Sequence, residues 1–247
     1  MTEPDHFHEA DPTGLQTLER FAAATHFNRW LFDTVRPYCK GHVLEVGSGI
    51  GNISRLFLEH GIQLTTSDLR EAYCNYVLQQ FGSNPHLAGV ASIDLAAPDF
   101  TQRYSHLLQQ FDTVVALNVV EHIEDDDKAV RNCMELLKPE GHLIVLVPAY
   151  QILYNSFDKE LGHFKRYTGR SLRALQKGAG LEVIHQQYFN VAGIPGWFIN
   201  GKLLRRRLIP RKQLMIFDKL IWILKLADSF AFHSVGLSTI AVGRKPH

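Results

Sequence analysis

Three groups of residues in this sequence could do chemistry. The first is the run His42-Val-Leu-Glu-Val-Gly-Ser-Gly-Ile-Gly-Asn52. Gly47, Gly49 and Gly51 allow a tight backbone turn and close approach to a ligand, and a helix beginning just after them would offer unpaired N–H groups. Glu45 lies inside the apolar stretch that leads into the glycines. An unpaired charge there would be costly, so it needs loop N–H groups, a protein partner or a ligand. The second group is two acids that close apolar runs, Asp68 after 63–67 and Asp94 after 87–93. A carboxylate can accept two hydrogen bonds in a fork from a vicinal diol, and Asp68 could also cap the helix that follows. Asp94 can accept from an amino group or stand as a solvated loop acid. The third group handles protons. It comprises Glu121-His122 and the stretch Tyr154 to Thr168, which carries His163, Arg166 and Tyr167. Imidazole titrates near neutrality, so His122 or His163 is a candidate general base. The tyrosines could face a planar acceptor, and Arg166 could pair with a carboxylate or phosphate on it. The structural alternatives are a histidine that packs under a ligand and a surface loop stitched by pairs of the Asp158–Arg166 type.

Positioning these groups takes alternating strands and helices. Strands are predicted at 42–47, 63–67, 87–93, 113–119 and 142–147, with helices at 51–60, 70–81 and 125–137 between them and a Pro139-Glu140-Gly141 turn before the fifth strand. Such alternation implies an α/β fold with a parallel sheet covered on both faces, and ligands at the carboxyl ends of the strands. A helix at 171–177, a sixth strand at 182–189 and a last strand at 237–243 follow. Before the first strand, 15–35 reads as one helix whose Phe27-Asn28-Arg29-Trp30 segment either caps a pocket or packs on the sheet. Residues 1–14 read as a flexible tail, and 15–247 as a single domain.

Between the last two strands, 190–236 forms a long excursion. Lys202, Arg205, Arg206, Arg207, Arg211 and Lys212 cluster there with no acid between Asn190 and Phe217, beside Trp197, Phe198 and a stripe of Leu214, Phe217, Ile221 and Leu224 at helical spacing. A basic amphipathic segment can lie on an anionic membrane or hold a lipid-linked acceptor, so peripheral membrane contact through 197–225 is one expectation. A helical cover on the core with a solvated basic face is the other.

Composition narrows the classes. Of the 247 residues 45% are hydrophobic and 21% charged, with a net charge of +1. That suits a sizeable core and gives no global field for nucleic acid. Three scattered cysteines without a Cys-x-x-Cys pair fit a reducing cytoplasm. The acidic, His-rich first residues do not read as a signal peptide, no uninterrupted apolar run is long enough to span a membrane, and no set of metal ligands is expected.

The glycine spacing separates the cofactor classes. A dinucleotide loop would read Gly-x-Gly-x-x-Gly and a phosphate loop would end in Gly-Lys-Ser/Thr, whereas here the pattern from Glu45 is Glu-x-Gly-x-Gly-x-Gly. With Asp68, with Asp94-Leu95, with Phe111-Asp112-Thr113-Val114-Val115 through Asn118-Val119-Val120-Glu121-His122, and with Leu136-Leu137-Lys138-Pro139-Glu140-Gly141, it resembles the class I S-adenosylmethionine-dependent methyltransferases across about 40–245. The resemblance implies a Rossmann-like, doubly wound seven-stranded sheet with an antiparallel last strand, and a lid inserted at the excursion. It implies S-adenosyl-L-methionine as cofactor and S-adenosyl-L-homocysteine as product. By the same resemblance Asp68 would grip the ribose and Asp94 the adenine, with Leu69 and Leu95 beside them. Gly47, Ser48, Gly49, Gly51 and Asn52 would form the cradle, and Asn118-Val119 would meet the methionine part. Glu45 would serve loop N–H groups or the amino acid end of the cofactor. Leu-Gly-His-Phe-Lys-Arg-Tyr-Thr, with the Phe-Asn…Pro-Gly-Trp that follows the sixth strand, resembles a bacterial subgroup with poorly defined acceptors. The implied activity is methyl transfer to oxygen or nitrogen of a small molecule. Alternatives are an inactive cofactor-binding regulatory partner, a methyltransferase acting on a lipid-linked acceptor at a membrane, and, disfavoured by the spacing, a nicotinamide oxidoreductase. Absence of Asn/Asp-Pro-Pro-Tyr disfavours a base-modifying enzyme. The sequence leaves the acceptor and the oligomeric state open.

Overall fold

The computed structural model describes residues 12–247. Most of the expected tail therefore lies outside the described residues, but its end does not: 12–14 already belong to α1 (Pro12–Ala22). The single helix expected at 15–35 is two, α1 and α2 (Thr25–Val35), broken at Ala23-Ala24. The break lets α1 swing away from the sheet while α2 keeps Leu31, Phe32 and Val35 in the core.

Strands β1 (Val43–Val46), β2 (Leu64–Asp68), β3 (Leu87–Ser92), β4 (Phe111–Leu117), β5 (Leu137–Pro148), β6 (Glu182–Phe189) and β7 (Ser238–Arg244) form one sheet in the order β3-β2-β1-β4-β5-β7-β6. β1 to β5 pair in parallel, and β7 runs antiparallel to both of its neighbours. Every residue of β1 is buried, as expected of a central parallel strand covered on both faces. Alternation then sorts the core into two clusters. Leu44, Val46, Val114, Ala116 and Val145 pack with Val130 and Leu136 of α6 (Asp126–Leu136) and Leu172 of α8 (Gly169–Gly178). Val43, Val115, Ile144 and Leu146 face the other way, against α2 and against Leu56 and Phe57 of α3 (Ser54–Glu59). α4 (Glu71–Phe81) joins β2 to β3, and the one-turn α5 (Phe100–Arg103) lies between β3 and β4.

The turn expected at Pro139-Glu140-Gly141 survives as a bulge inside a longer β5. Phe111 pairs with Leu137 and Thr113 with His142, so five residues of β5 advance against two of β4, and Glu140 takes a φ of 63°. Between β5 and α8 the sequence periodicity predicts no element, yet α7 (Ser156–Glu160) forms there under a capping box in which Asn155 and Asp158 bond each other's backbone.

The excursion is helical: α9 (Gly193–Trp197), a π-helical turn at 198–203, α10 (Arg211–Lys219) and α11 (Ile221–Phe230). Buried acids tie it down. Asp228 accepts the Asn190 and Val191 backbone N–H groups at 2.6 and 2.7 Å, and Asp218 accepts the Phe27 N–H at 2.8 Å. Leu214 and Ile221 are buried, and Phe217 and Leu224 pack on the core, so the helical stripe seen in the sequence is consumed by folding. No helix among the described residues is long and apolar enough to cross a membrane.

Candidate active site

The strand order reverses between β1 and β4, since β2 and β3 lie to one side and β5 to the other. The crevice at such a switch point, outside the carboxyl ends of the strands, is where this architecture takes ligands. Here it is a cavity of about 880 Å³, floored by the strand ends and roofed by α1, α9 and α10.

One half is built from loops that follow β1, β2 and β3. Gly47 and Gly49 adopt φ values of 69° and 53°, and a Cβ at Gly47 would collide with Val119. Both need glycine: the first for close approach to β4, the second for the turn itself. The Gly49 N–H donates to Asp68 Oδ2 at 2.9 Å and the Arg70 N–H to Oδ1 at 3.0 Å, which latches the glycine loop to β2. Each oxygen retains a lone pair, so the latch and a diol fork are compatible. Burial raises the Asp68 carboxyl above its usual range despite these donors. Glu45 Oε2 accepts from Ser54 Oγ at 2.5 Å, giving the buried acid a protein partner, and burial pushes its pKa up to about 7. Asp94 accepts the Ala96 N–H at 2.8 Å while its own N–H donates to Tyr104 Oη at 2.9 Å, which fixes the turn after β3. Leu69 and Leu95 line the cavity beside these acids. Asn118, at a φ of 55°, is held by its N–H to the Leu146 carbonyl at 2.9 Å and reaches the wall with Val119. The Asn52 amide donates to the Leu18 carbonyl at 2.9 Å and so draws α1 over the loop. Ser48 also lines the cavity, and its buried hydroxyl has no partner among the described residues. Gly51 is the exception. It does not line the cavity, and a Cβ there would press into Phe81 of α4.

These residues fit the cofactor that the sequence implies. Three carboxylates stand in succession at strand ends, the cradle has no room for a Cβ at Gly47, and an orphaned hydroxyl waits in the loop. When bound, S-adenosylmethionine supplies an electrophilic methyl group on sulfur.

The other half is assembled from distant segments. Glu121 and His122 lie on a turn after β4, and the Phe164 N–H donates to the Glu121 carbonyl at 2.8 Å, bringing the loop after α7 against it. The rings of His122 and His163 meet edge to face at 4.6 Å on the cavity wall. His163 Nδ1 lies 2.8 Å from Asp158 Oδ1. An ionised carboxylate only accepts, so the proton is on Nδ1 and the Nε2 lone pair faces away from Asp158. The Arg166 Nε donates to the same Oδ1 at 2.8 Å, its Nη1 donates to the Ala149 carbonyl at 3.0 Å, and its guanidinium lies 4.7 Å from the Trp197 ring centre. Burial alone would raise Asp158, but His163 and Arg166 hold it below the usual carboxylate range. Glu121 is fully buried and makes no well-formed hydrogen bond through either side-chain oxygen among the described residues, and burial pushes its pKa up to about 8 against the pull of its own backbone N–H and of Arg166.

The three residues expected to touch substrate are arranged otherwise. Arg166 reaches the cavity wall with its charge already committed to Asp158. Tyr154 and Tyr167 do not line the cavity. Their hydroxyls donate to the His163 carbonyl at 2.7 Å and to Asp126 Oδ2 at 2.8 Å, so both brace the loop from behind. Phe27 does line the cavity, whereas Trp30 packs on Phe189 at 4.3 Å. The sequence reading missed Thr17, Leu18 and Phe21 of α1 and Phe157 of α7, all cavity-lining. The apolar spacing of Leu18 and Phe21 marked a helix, but nothing local told which way it faced.

Comparison with known proteins agrees with this geometry. A family model described as a methyltransferase domain matches residues 17–186. A ubiquinone biosynthesis O-methyltransferase of Coxiella burnetii is 29% identical over 102 residues, covering 41% of each chain. One from Pseudomonas syringae pv. tomato is 30% identical over 156 residues, 57% of this chain and 64% of the relative. The chain thus spans less than two thirds of the length of these curated relatives. The Haemonchus contortus phosphoethanolamine N-methyltransferase 2, solved with S-adenosyl-L-methionine, shares the fold at a TM-score of 0.59 and 17% identity, over 98% of this chain and 59% of that one. The family match, the seven-stranded sheet and the cavity at its switch point together make this chain a member of the class I S-adenosylmethionine-dependent methyltransferases.

Proposed function

We propose that the enzyme methylates a hydroxyl oxygen on an apolar small molecule. The observation that carries this reading is the His122–His163 pair, set in a cavity half walled by Phe27, Phe157, Leu161, Trp197 and Phe217. A hydroxyl carries a proton at neutral pH and needs help to lose it, and a pair of imidazoles beside the acceptor suits that task. Asp158 orients His163 as a buried acid orients a catalytic imidazole. The apolar walls favour an aromatic or lipid-like body for the acceptor. The names of the two curated relatives support a hydroxylated ring with an apolar tail, in the ubiquinone precursor class. The name of the structural neighbour makes a phosphorylated amine the alternative acceptor. Turnover with a labelled methyl donor, offered hydroxyarenes bearing alkyl chains and phosphorylated amines in parallel, separates the two. The hydroxyarenes are the expected acceptors. His163→Ala is expected to cut turnover roughly 10²–10⁴-fold with the affinity for S-adenosylhomocysteine nearly intact. Methylation of the amines alone, or cofactor binding without turnover on any acceptor, defeats the reading; the second outcome makes the chain a regulatory binder.

A second reading, access to the acceptor from an anionic membrane, is favoured by the outer face of the excursion. Trp222, Phe230 and Phe232 are 69%, 80% and 88% exposed, with Ile216, Leu220, Ile223 and Leu226 also exposed, and these are different residues from the buried stripe. Of the basic cluster, Arg207 pairs with Glu160, Lys202 donates to the Ile152 carbonyl and Arg206 to Asn200 Oδ1, while Arg205, Arg211 and Lys212 are exposed. Apolar insertion beside positive charge is the pattern of an interfacial helix. Co-sedimentation with anionic but not neutral vesicles, weakened in Trp222→Ala/Phe230→Ala, is the expected result. A protein that stays in the supernatant at low salt has no such contact.

A further inference from the structure

The acceptor half contains a charge arrangement that a protein-only account leaves incomplete. Asp158 and Arg166 neutralise each other through a 2.8 Å contact, both buried. Glu121 is then a fully buried acid with both oxygens unpartnered among the described residues. Such a group costs free energy unless something pairs with it. Around it stand two imidazoles: one ligand atom from each of Glu121, His122 and His163 lies within 4.8 Å of the others. The three come from the turn after β4 and the loop after α7, which the Phe164 N–H to Glu121 carbonyl bond holds together.

We propose that Glu121, His122 and His163 bind a divalent transition-metal ion whose open coordination face points into the acceptor half of the cavity. Two neutral imidazoles and one carboxylate form a donor set suited to zinc and its first-row neighbours rather than to magnesium or calcium. His163 has the outer support typical of a ligating histidine, because Asp158 takes its Nδ1 proton and leaves Nε2 as the ligating atom. The ion supplies the missing partner, since Glu121 is a buried acid that makes no hydrogen bond to Arg166. Bonds of about 2.0–2.2 Å put neighbouring ligand atoms roughly 3–3.5 Å apart, so the cluster closes by a small rotation of the exposed His122. His122 and His163 line the cavity while Glu121 lies behind them, which leaves an entry path and an open side. The site revises the sequence expectation of no metal set. His163 lies more than 40 positions from Glu121 in the chain, so no spacing rule could join them.

The consequence for catalysis rests on the hydroxyl-acceptor reading. An ion at this position binds the acceptor oxygen and favours its ionised form, with the proton leaving to solvent. The oxygen then bonds the methyl carbon while the electron pair of the breaking carbon–sulfur bond stays on sulfur. The histidines in this account hold the ion instead of taking the proton.

Zinc titration of chelator-treated full-length protein by calorimetry tests the site directly. One ion per chain is expected, with an affinity at least 100-fold weaker in Glu121→Gln and in His163→Ala, and with the melting temperature raised by zinc in the wild type only. Glu121→Gln keeps the shape and removes only the acid, so it reports even where His163→Ala fails to fold. Zinc held instead by His6 and His8 would survive both substitutions and overturn the proposal, as would no saturable binding. Affinity for S-adenosylhomocysteine is expected to be unchanged in Glu121→Gln. Turnover of hydroxyarenes is read separately. Zinc binding without any hydroxyarene turnover breaks the acceptor reading and leaves the site standing, whereas full hydroxyarene turnover by protein that binds no zinc breaks the site and leaves the reading.

Discussion

Two buried glutamates stand on either side of the switch point, and they are treated differently. Glu45, near the end of β1, receives a hydrogen bond from Ser54 on the adjoining helix, and the neighbouring Asp68 is gripped by two backbone N–H groups. Glu121, after β4, has no partner on either oxygen among the described residues. The cofactor half is therefore organised by the protein itself before anything binds. The acceptor half is organised around its histidine, aspartate and arginine but leaves one acid open. Preorganisation on one side and an unpartnered acid on the other suit the proposed division of labour, in which one ligand is constant and the second is activated.

The sharpest way to break this contrast is to disorganise the acceptor half alone. Arg166 is the only Lys or Arg bonded to Asp158 among the described residues; the other donors to that carboxylate are the His163 ring and the Asn155 N–H. Arg166→Met removes it and leaves a fully buried carboxylate with no cation to offset it, only the His163 and Asn155 donors, so a loss of about 3–5 kcal/mol in unfolding free energy is expected, measurable by urea titration. Binding of S-adenosylhomocysteine to the folded fraction should be nearly unchanged, since Arg166 bonds Asp158, Ala149 and Gln151 and lies against Trp197, none of them in the loops after β1, β2 or β3. Equal damage to both functions would show that the halves are one cooperative unit.

The converse experiment touches only the cofactor half. Asp68→Ala removes the acid that the geometry leaves available to a diol and also frees the Gly49 N–H. A loss of about 1.5–3 kcal/mol in S-adenosylhomocysteine affinity is expected by calorimetry, with zinc binding unaffected. Unchanged affinity in a folded variant removes the ribose assignment and leaves Asp68 as a loop latch alone.

The same contrast explains what could be read from the chain. The residues expected to hold the cofactor follow the ends of consecutive strands, and their contacts are short in sequence: Glu45 reaches Ser54, and Gly49 reaches Asp68. Period-two burial and a glycine motif suffice to bring most of them to the cavity. Gly51 misled because it shares the motif but serves packing against Phe81. The acceptor half is joined by contacts far apart in the chain, such as Tyr167 with Asp126, 41 positions apart, and Phe27 with Asp218, 191 apart. The composition of 154–168 showed polar and aromatic residues together, but not which of them would turn inward. Tyr167 and Tyr154 turned away because their hydroxyls found buried partners. The break at Ala23-Ala24 was hidden because neither residue is Gly or Pro, the usual signs of a helix end, and alanine is the strongest helix former.

Ionisation offers a finer test. Glu45 has a folded-state pKa of about 7 against an ordinary 4.5, raised by burial. An acid raised in this way contributes stability below pH ~4.5 that is lost as pH rises through ~7, so Glu45→Gln should gain stability over wild type at pH 8 and not at pH 4.5. If Glu45 meets the cofactor's amino group, its ionised form binds better. Wild-type affinity for S-adenosylhomocysteine should then rise about tenfold between pH 6 and 8, while Glu45→Gln stays flat. A flat wild-type profile would leave Glu45 as a partner of Ser54 only.

The smallest expected effect concerns the roof that both halves share. α1 and α2 meet the excursion where His26 Nδ1 and the Phe27 N–H both reach Asp218, each at 2.8 Å, and where Arg20 bonds the Ile209 carbonyl. His26 is 68% exposed at its side chain, so its share of the latch is screened by water, while the Phe27 N–H bond is sheltered by a side chain only 4% exposed. His26→Ala should therefore cost under about 1 kcal/mol and leave Phe27 bonded. Asp218→Ala should cost about 1–3 kcal/mol, because the Phe27 N–H then loses its acceptor. Phe27 lines the acceptor half and its ring contacts Phe21 of α1 at 5.7 Å, so loosening it opens the roof over both ligands at once. Stopped-flow measurement of S-adenosylhomocysteine release should show faster dissociation in Asp218→Ala than in His26→Ala, with wild type slowest. Identical release rates in all three would mean that α1 alone, through the Asn52–Leu18 bond, closes the cofactor half, and that the excursion covers only the acceptor.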